Sequence, residues 1–156
     1  MTDKYAVFGN PIGHSRSPDI HRQFAQQTNQ SLSYEKQLVE ETDFDIAANA
    51  FFNSGGKGLN ITVPFKQDAY SYAACTTARA RRAGAVNTLS LEADGTVLGD
   101  TTDGVGLVAD IKNNLGWQIR HKRVLILGAG GAARGALEPL LAEQPQHIVK
   151  IGRAHV

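Results

Sequence analysis

Short apolar runs alternate along this chain with longer stretches whose apolar residues recur every third or fourth position. These are the periods of strands and of amphipathic helices in turn. Residues 5–8 form a compact apolar run stopped by Gly9-Asn10-Pro11, which predicts a buried strand ended by a turn. Ser17-Pro18 reads as an N-cap with Pro at the first helical position. It opens a helix over 18–28 with Ile20, Phe24 and Ala25 on the inner face. Residues 33–39 alternate as a second strand, and Thr42 caps a helix through Phe52 that Gly55-Gly56 ends. A third strand over 59–63 is closed by Pro64, and Lys66 opens the next helix. A basic helical stretch at 78–82 leads into Gly84. The strands 86–91 and 96–99 flank Ala93-Asp94-Gly95, a hairpin signal. Residues 104–115 predict a linking helix, 123–127 a strand, 132–142 a helix and 148–151 the next parallel strand.

Strands alternating with helices predict an α/β fold. The pattern breaks near Gly116-Trp117. We therefore expect a parallel-rich α/β substrate domain over 1–103, a linking helix and connector over 104–121, and the start of a Rossmann nucleotide-binding domain over 122–156. Bulk properties narrow the function classes. Sixteen basic against 15 acidic residues leave a net charge of +1, which offers no electrostatic case for nucleic acid or an anionic membrane. Cys75 is the only cysteine, so no intrachain disulfide forms; this fits a reducing compartment, and Cys75 itself is expected to be a small buried hydrophobe. The N-terminal stretch lacks a signal-peptide core, and no apolar run reaches the ~20 residues that span a bilayer. A cytoplasmic location is the expectation.

Chemistry concentrates in short polar loops at the ends of the apolar runs, where α/β proteins bind ligands. Lys66 follows Asn60-Ile61-Thr62-Val63-Pro64-Phe65. A lysine partly withdrawn from water in a cleft can exchange protons with a substrate. Asp103, in Gly99-Asp100-Thr101-Thr102-Asp103-Gly104, can orient that lysine and accept from a hydroxyl. Taken singly, each reads more readily as a solvated lysine or a capping aspartate, since exposed Lys and Asp are commonplace; the case rests on both occurring beside other polar loops. Ser15, Ser17, Thr62 and Asn87 are small hydrogen-bonding groups suited to a substrate with several hydroxyls and a carboxylate, or to caps and turns. His14 and His21 read as surface or packing residues, and no metal site is expected. Arg79, Arg81 and Arg82 read as a solvated helix face. The loop Gly128-Ala129-Gly130-Gly131-Ala132-Ala133 follows a strand and opens a helix, the context of a dinucleotide pyrophosphate site. No acid follows at the spacing typical of NAD; Arg153 stands there instead, as would suit the 2′-phosphate of NADP.

Together, and in this order, these segments resemble the shikimate dehydrogenase family. The matching stretches are Tyr5-Ala6-Val7-Phe8-Gly9-Asn10-Pro11-Ile12, His14-Ser15-Arg16-Ser17-Pro18, Gly58-Leu59-Asn60-Ile61-Thr62-Val63-Pro64-Phe65-Lys66, Gly84-Ala85-Val86-Asn87-Thr88, Gly99-Asp100-Thr101-Thr102-Asp103-Gly104 and Leu127-Gly128-Ala129-Gly130-Gly131-Ala132. The resemblance implies that Ser15 and Ser17 bind the shikimate carboxylate. It implies that Thr62, Asn87 and Asp103 hold ring hydroxyls, that Lys66 is the acid/base group, and that Gly128, Ala129, Gly130, Gly131 and Ala132 bind NADP. The implied reaction is reversible NADPH-dependent reduction of 3-dehydroshikimate to shikimate, on the route to chorismate and the aromatic amino acids. A quinate/shikimate dehydrogenase and a non-catalytic substrate-binding fragment are the alternatives. The implied partner is the small-molecule substrate, with neither nucleic acid nor membrane.

Two departures stand out. Many family members carry an acid where this chain has Ala78. The family's Asn-Arg-Thr motif falls on Gly152-Arg153-Ala154, and the family chain continues through the rest of a Rossmann domain, so an N-terminal fragment is expected. The closing residues Ile151-Gly152-Arg153-Ala154-His155-Val156 coincide with the translation of a widely used DNA-sequencing adapter. They are expected not to be native, which removes Arg153 from the set of cofactor ligands.

Overall fold

The computed structural model describes residues 2–152. Its first part carries strands β1 (Asp3–Gly9), β2 (Leu32–Leu38), β3 (Gly56–Ile61), β4 (Cys75–Thr76), β5 (Thr88–Leu91) and β6 (Val97–Asp100). They form one six-stranded sheet in the order β2-β1-β3-β5-β6-β4. β1 runs parallel to β2 and β3, and β4 parallel to β6. The β5–β6 hairpin is the antiparallel insert, with β5 also antiparallel to β3. Helices α1 (Ser17–Thr28), α2 (Phe44–Asn53), α3 (Lys66–Tyr72) and α4 (Ala78–Ala83) connect the strands. The sheet is the expected parallel-rich α/β type; the two-residue β4 is too short to have left a sequence pattern.

One core holds this part together. Phe8, Leu59, Phe65, Val86 and Leu89 are fully enclosed. Phe44 from α2 stacks on Phe65 at 5.3 Å and meets Phe8 edge-on at 6.3 Å. Burying an aromatic ring of this kind contributes roughly 1.5–3 kcal/mol. The placement of Phe65 matters for chemistry, because it is the N-cap residue of α3 and Lys66 follows it directly. The anchored ring therefore fixes where the lysine leaves the backbone.

Helix α5 (Asp103–Ala109) runs into a π-helical turn, Asp110–Asn114. Beyond it lie β7 (Arg123–Leu127), α6 (Gly131–Ala142) and β8 (His147–Ile151), with β7 and β8 parallel. A second, smaller core joins Val108 of α5, Ile119, and Ala136 and Leu140 of α6, with Val124, Ile126 and Ile148 packed against it. α5 and α6 approach at backbone distance: a Cβ added at Gly104 would lie 2.1 Å from the Gly135 carbonyl oxygen. Across α4 and α6, Arg82 pairs with Glu138.

Several local expectations are corrected. Ile20 and Phe24 are exposed on α1, while Ala25 is buried. The helix turns His21 and Ala25, four residues apart on one face, toward the sheet, where His21 stacks on Tyr34 of β2. Ser17 is not the cap: the N-cap position is Arg16, and the Ser17 N–H donates to Ser15 Oγ at 3.3 Å in a short turn. Thr42 likewise does not cap α2; its hydroxyl donates to Asp43, which occupies the N-cap position. Cys75 is exposed, because β4 lies at the sheet edge. Arg79 and Arg82 are ion-paired with Asp100 and Glu138 rather than simply solvated. The linking helix is not one regular α-helix, since it passes into the π-helical turn after Ala109.

Candidate functional site

The ends of β1 and β3, the starts of α1, α3 and α5, and the turn before β5 converge on one cleft of ≈ 290 Å³. The loop after β1 contributes His14, Ser15 and Ser17, and α1 contributes His21. Asn60 and Thr62 stand two apart along β3 and its exit, so the strand's alternation puts both on the cleft side. Lys66, Asn87 and Asp103 close the far wall. The six residues singled out for a polyhydroxylated substrate thus line a single cavity. Asn60 and His21 also line it and were not singled out.

Lys66 and Asp103 form an ion pair through Nζ and Oδ2. The lysine side chain is 14% exposed and the aspartate 37%. The other oxygen of Asp103, Oδ1, accepts a hydrogen bond from Asn87 Nδ2 at 2.7 Å. Asn87 is buried, and its Oδ1 accepts from the Thr102 backbone N–H at 3.0 Å and from the Thr88 hydroxyl at 2.9 Å. The carboxylate is therefore aimed from both sides. A charged donor and a neutral donor fix its plane, and no freedom remains for it to swing away from the lysine. At the other end, Ser15 Oγ donates to Ser17 Oγ at 3.1 Å. The two hydroxyls sit side by side, as a fork for a carboxylate would require.

Asp100 anchors the strand end that carries Thr102 and Asp103. Its Oδ1 accepts from Thr77 Oγ1 at 2.6 Å, Arg79 Nε at 2.7 Å and the Thr101 N–H at 2.8 Å, and Arg79 Nη2 reaches Oδ2. The Arg79 hydrogen bond above all holds its carboxyl down to about 2, with burial opposing. Partial burial lowers the His21 imidazole and raises the Tyr34 phenol.

The glycine loop leaves β7 through Gly128 at φ +122°, a conformation that favours glycine. Gly130 is the N-cap residue of α6. A Cβ added at Gly128 or Gly130 would meet nothing, so the backbone here is bare on its outer side. At Gly131 the situation reverses: a Cβ would stand 2.9 Å from Lys66 Cβ. Lys66 therefore touches the cleft on one side and the start of α6 on the other. A loop bare at Gly128 and Gly130 that opens a helix fits a dinucleotide pyrophosphate, with the Gly128 N–H itself donating to the Ile151 carbonyl. Ala129 and Ala132 complete the loop, and Arg153 lies outside the described residues. A larger cavity of ≈ 600 Å³ between α1 and β2 gathers no comparable set of converging groups. Among the described residues no cluster could hold a metal ion, and no helix is long and apolar enough to cross a membrane.

Residues 7–89 match the family model described as the shikimate dehydrogenase substrate binding domain. Shikimate dehydrogenase (NADP(+)) of Cellvibrio japonicus is 61% identical over 153 residues, which cover 98% of this chain and 55% of that protein. Among solved structures, an Ael1 enzyme from Pseudomonas putida superimposes with a TM-score of 0.89 at 46% identity, covering 98% of this chain and 56% of its own. Shikimate 5-dehydrogenase from Thermus thermophilus, solved in complex with shikimate, gives 0.88 at 27% identity, covering 98% of this chain and 57% of its own. The chain spans about half the length of the curated relatives it matches.

Proposed function

Since the chain belongs to the shikimate dehydrogenase family through its substrate-binding domain, we propose that it forms the substrate-binding part and the opening of the nucleotide-binding part of an NADP-dependent shikimate dehydrogenase. The domain limits are those expected from the sequence, 1–103 for substrate and 122 onward for nucleotide. The reaction is reversible reduction of 3-dehydroshikimate to shikimate. The relative from Cellvibrio japonicus carries NADP(+) in its name, and the Thermus thermophilus enzyme holds shikimate.

The observation that carries this reading is the Lys66–Asp103 pair, buried on the lysine side and opening on the same cleft as the two serines. Ser15 and Ser17 receive the substrate carboxylate through paired hydroxyls. Thr62, Asn87 and Asp103 hold ring hydroxyls. Lys66 Nζ, oriented by Asp103, gives a proton to the C3 carbonyl oxygen in reduction and takes it from the C3 hydroxyl in oxidation. Bound at Gly128, Ala129, Gly130, Gly131 and Ala132, NADPH supplies the hydride that the carbonyl carbon gains. The contact between Gly131 and the Lys66 stem brings the loop and the proton donor together, so that both ends of the C–O bond are served from one side of the cleft.

The test titrates this chain with shikimate by calorimetry, and follows reduced nicotinamide by absorbance when shikimate and NADP⁺ are mixed with the chain extended to the full length of its relatives. Shikimate-dependent reduction is the expected result. Absence of shikimate binding refutes the substrate, and binding without reduction leaves a substrate-binding protein only.

A further inference from the structure

The cleft wall hides one group that makes the polarity of its hydrogen bonds definite. Tyr34, on β2, donates its hydroxyl to Asn60 Oδ1 on β3 at 2.6 Å, across the intervening strand β1. That length belongs to an O–H···O bond and is short for an amide N–H donor, so the oxygen end of the amide faces the phenol. The Tyr34 ring is itself pinned: His21 stacks on it at 4.2 Å with the planes 9° apart. From Asn60 onward every donor points one way. Asn60 Nδ2 faces Thr88 Oγ1 at 3.4 Å, Thr88 donates to Asn87 Oδ1 at 2.9 Å, and Asn87 Nδ2 donates to Asp103 Oδ1 at 2.7 Å. The chain ends on the carboxylate that holds Lys66.

We propose that Tyr34 is a positioning residue that locks the Asn60 side-chain amide in one orientation, so that Asn60 meets a ligand in the cleft only as an N–H donor. Asn60 lines the cleft, whereas Tyr34 does not, so Tyr34 acts through it. An asparagine without such a partner presents either end of its amide, and a flipped Asn60 would offer an oxygen to the substrate and a second acceptor to Thr88. Burial raises the phenol above its ordinary value, so that it is a neutral donor near neutrality. The inference rests on the shikimate reading given above.

The test is a double-mutant cycle on calorimetric shikimate affinity with the whole chain. Tyr34→Phe removes one oxygen and should weaken binding about tenfold, the loss of one positioned donor. Asn60→Ala should weaken it at least as much. The double variant should be no weaker than Asn60→Ala alone. Tyr34→Phe should still weaken binding in a Ser17→Ala background, because the Tyr34 hydroxyl lies against Ser17 as well as Asn60 and acts through Asn60. Additive losses overturn the proposal, as does a folded Tyr34→Phe variant with parental affinity. For a Tyr34→Phe chain that fails to fold, nuclear magnetic resonance of the unmutated chain decides: shikimate should shift the Asn60 side-chain N–H₂ pair, and an unmoved pair overturns the assignment. A parent chain that does not bind shikimate brings down the function and this inference together, whereas tight parental binding with an unaffected Tyr34→Phe removes the inference alone.

Discussion

Asp103→Asn is the sharpest perturbation of the site, because both neighbours of the carboxylate are donors. Lys66 Nζ approaches Oδ2, and Asn87 Nδ2 approaches Oδ1 at 2.7 Å. An amide has one acceptor end. Turned to the lysine, it sets its N–H₂ against that of Asn87; turned to Asn87, it sets N–H₂ against an ammonium. Either way one hydrogen bond is replaced by facing donors, and Lys66, with a side chain only 14% exposed, loses its counter-charge. Hydrogen bonds to charged groups contribute roughly 1.5–3 kcal/mol, and a stranded buried donor costs a comparable amount. Asp103 is 37% exposed, so water reaches one side and the lower end applies: about 1.5 kcal/mol, or a Tm lower by roughly 3–6 °C. Lysine misalignment should also cost the reaction about 10²-fold in kcat, the lower end of what a positioned proton donor supplies. Binding weakens as well, because a hydroxyl acceptor has lost its charge. Scanning calorimetry and steady-state kinetics with shikimate and NADP⁺ measure both. A variant with parental Tm, kcat and KM would remove the pair from the mechanism and refute the account of its geometry.

Two further outcomes follow from the supporting structure. Asp100 has a folded-state carboxyl lowered from 3.8 to about 2, so its stabilisation is present above the unfolded value and is lost as pH falls through the folded one. Asp100→Asn should therefore destabilise by about 2 kcal/mol near neutrality. The gap to the parent, read from urea unfolding, should close between about pH 4 and pH 2; a gap independent of pH would contradict the Arg79 pairing. Gly104→Ala places a Cβ 2.1 Å from the Gly135 carbonyl oxygen and 2.8 Å from Ala136 Cα, both backbone, so α5 and α6 must separate. Overpacking of this kind costs typically ~1–3 kcal/mol, and the variant should raise the KM for NADP⁺ more than that for shikimate; a parental melting curve would show that the close approach is not needed.

Much of the fold was legible because its signals are local. The run 5–8 and its turn, the helix opening at Lys66, the Asp-Gly hairpin and the strand leading to the glycine loop each declare themselves within a few residues. Lys66, Asp103, Asn87, Thr62, Ser15 and Ser17 were recognisable as polar residues at such ends, and all reach one cleft. What stayed hidden depends on strand order. Asn60 sits between apolar neighbours in a strand and looks like filler until β2, β1 and β3 lie side by side and bring Tyr34 to it across 26 positions. His21 had an ordinary reading on a helix face, and its place in the cleft and its stack on Tyr34 emerge only from the fold. Arg79 looked like one solvated cation among three, because its partner Asp100 is 21 positions away. Ser17 followed the usual capping pattern, yet its backbone N–H is taken by Ser15 and its hydroxyl by the cleft.

The central claim is that Lys66 moves the proton and does not merely hold the substrate. Lys66→Ala in the NADP⁺-reducing protein separates the two through kcat and the calorimetric Kd for shikimate. The predicted result is a kcat lower by about 10²–10⁴-fold with a shikimate Kd within about threefold of the parent. A variant that keeps its kcat while Kd or KM rises would make Lys66 a binding residue and contradict the mechanism.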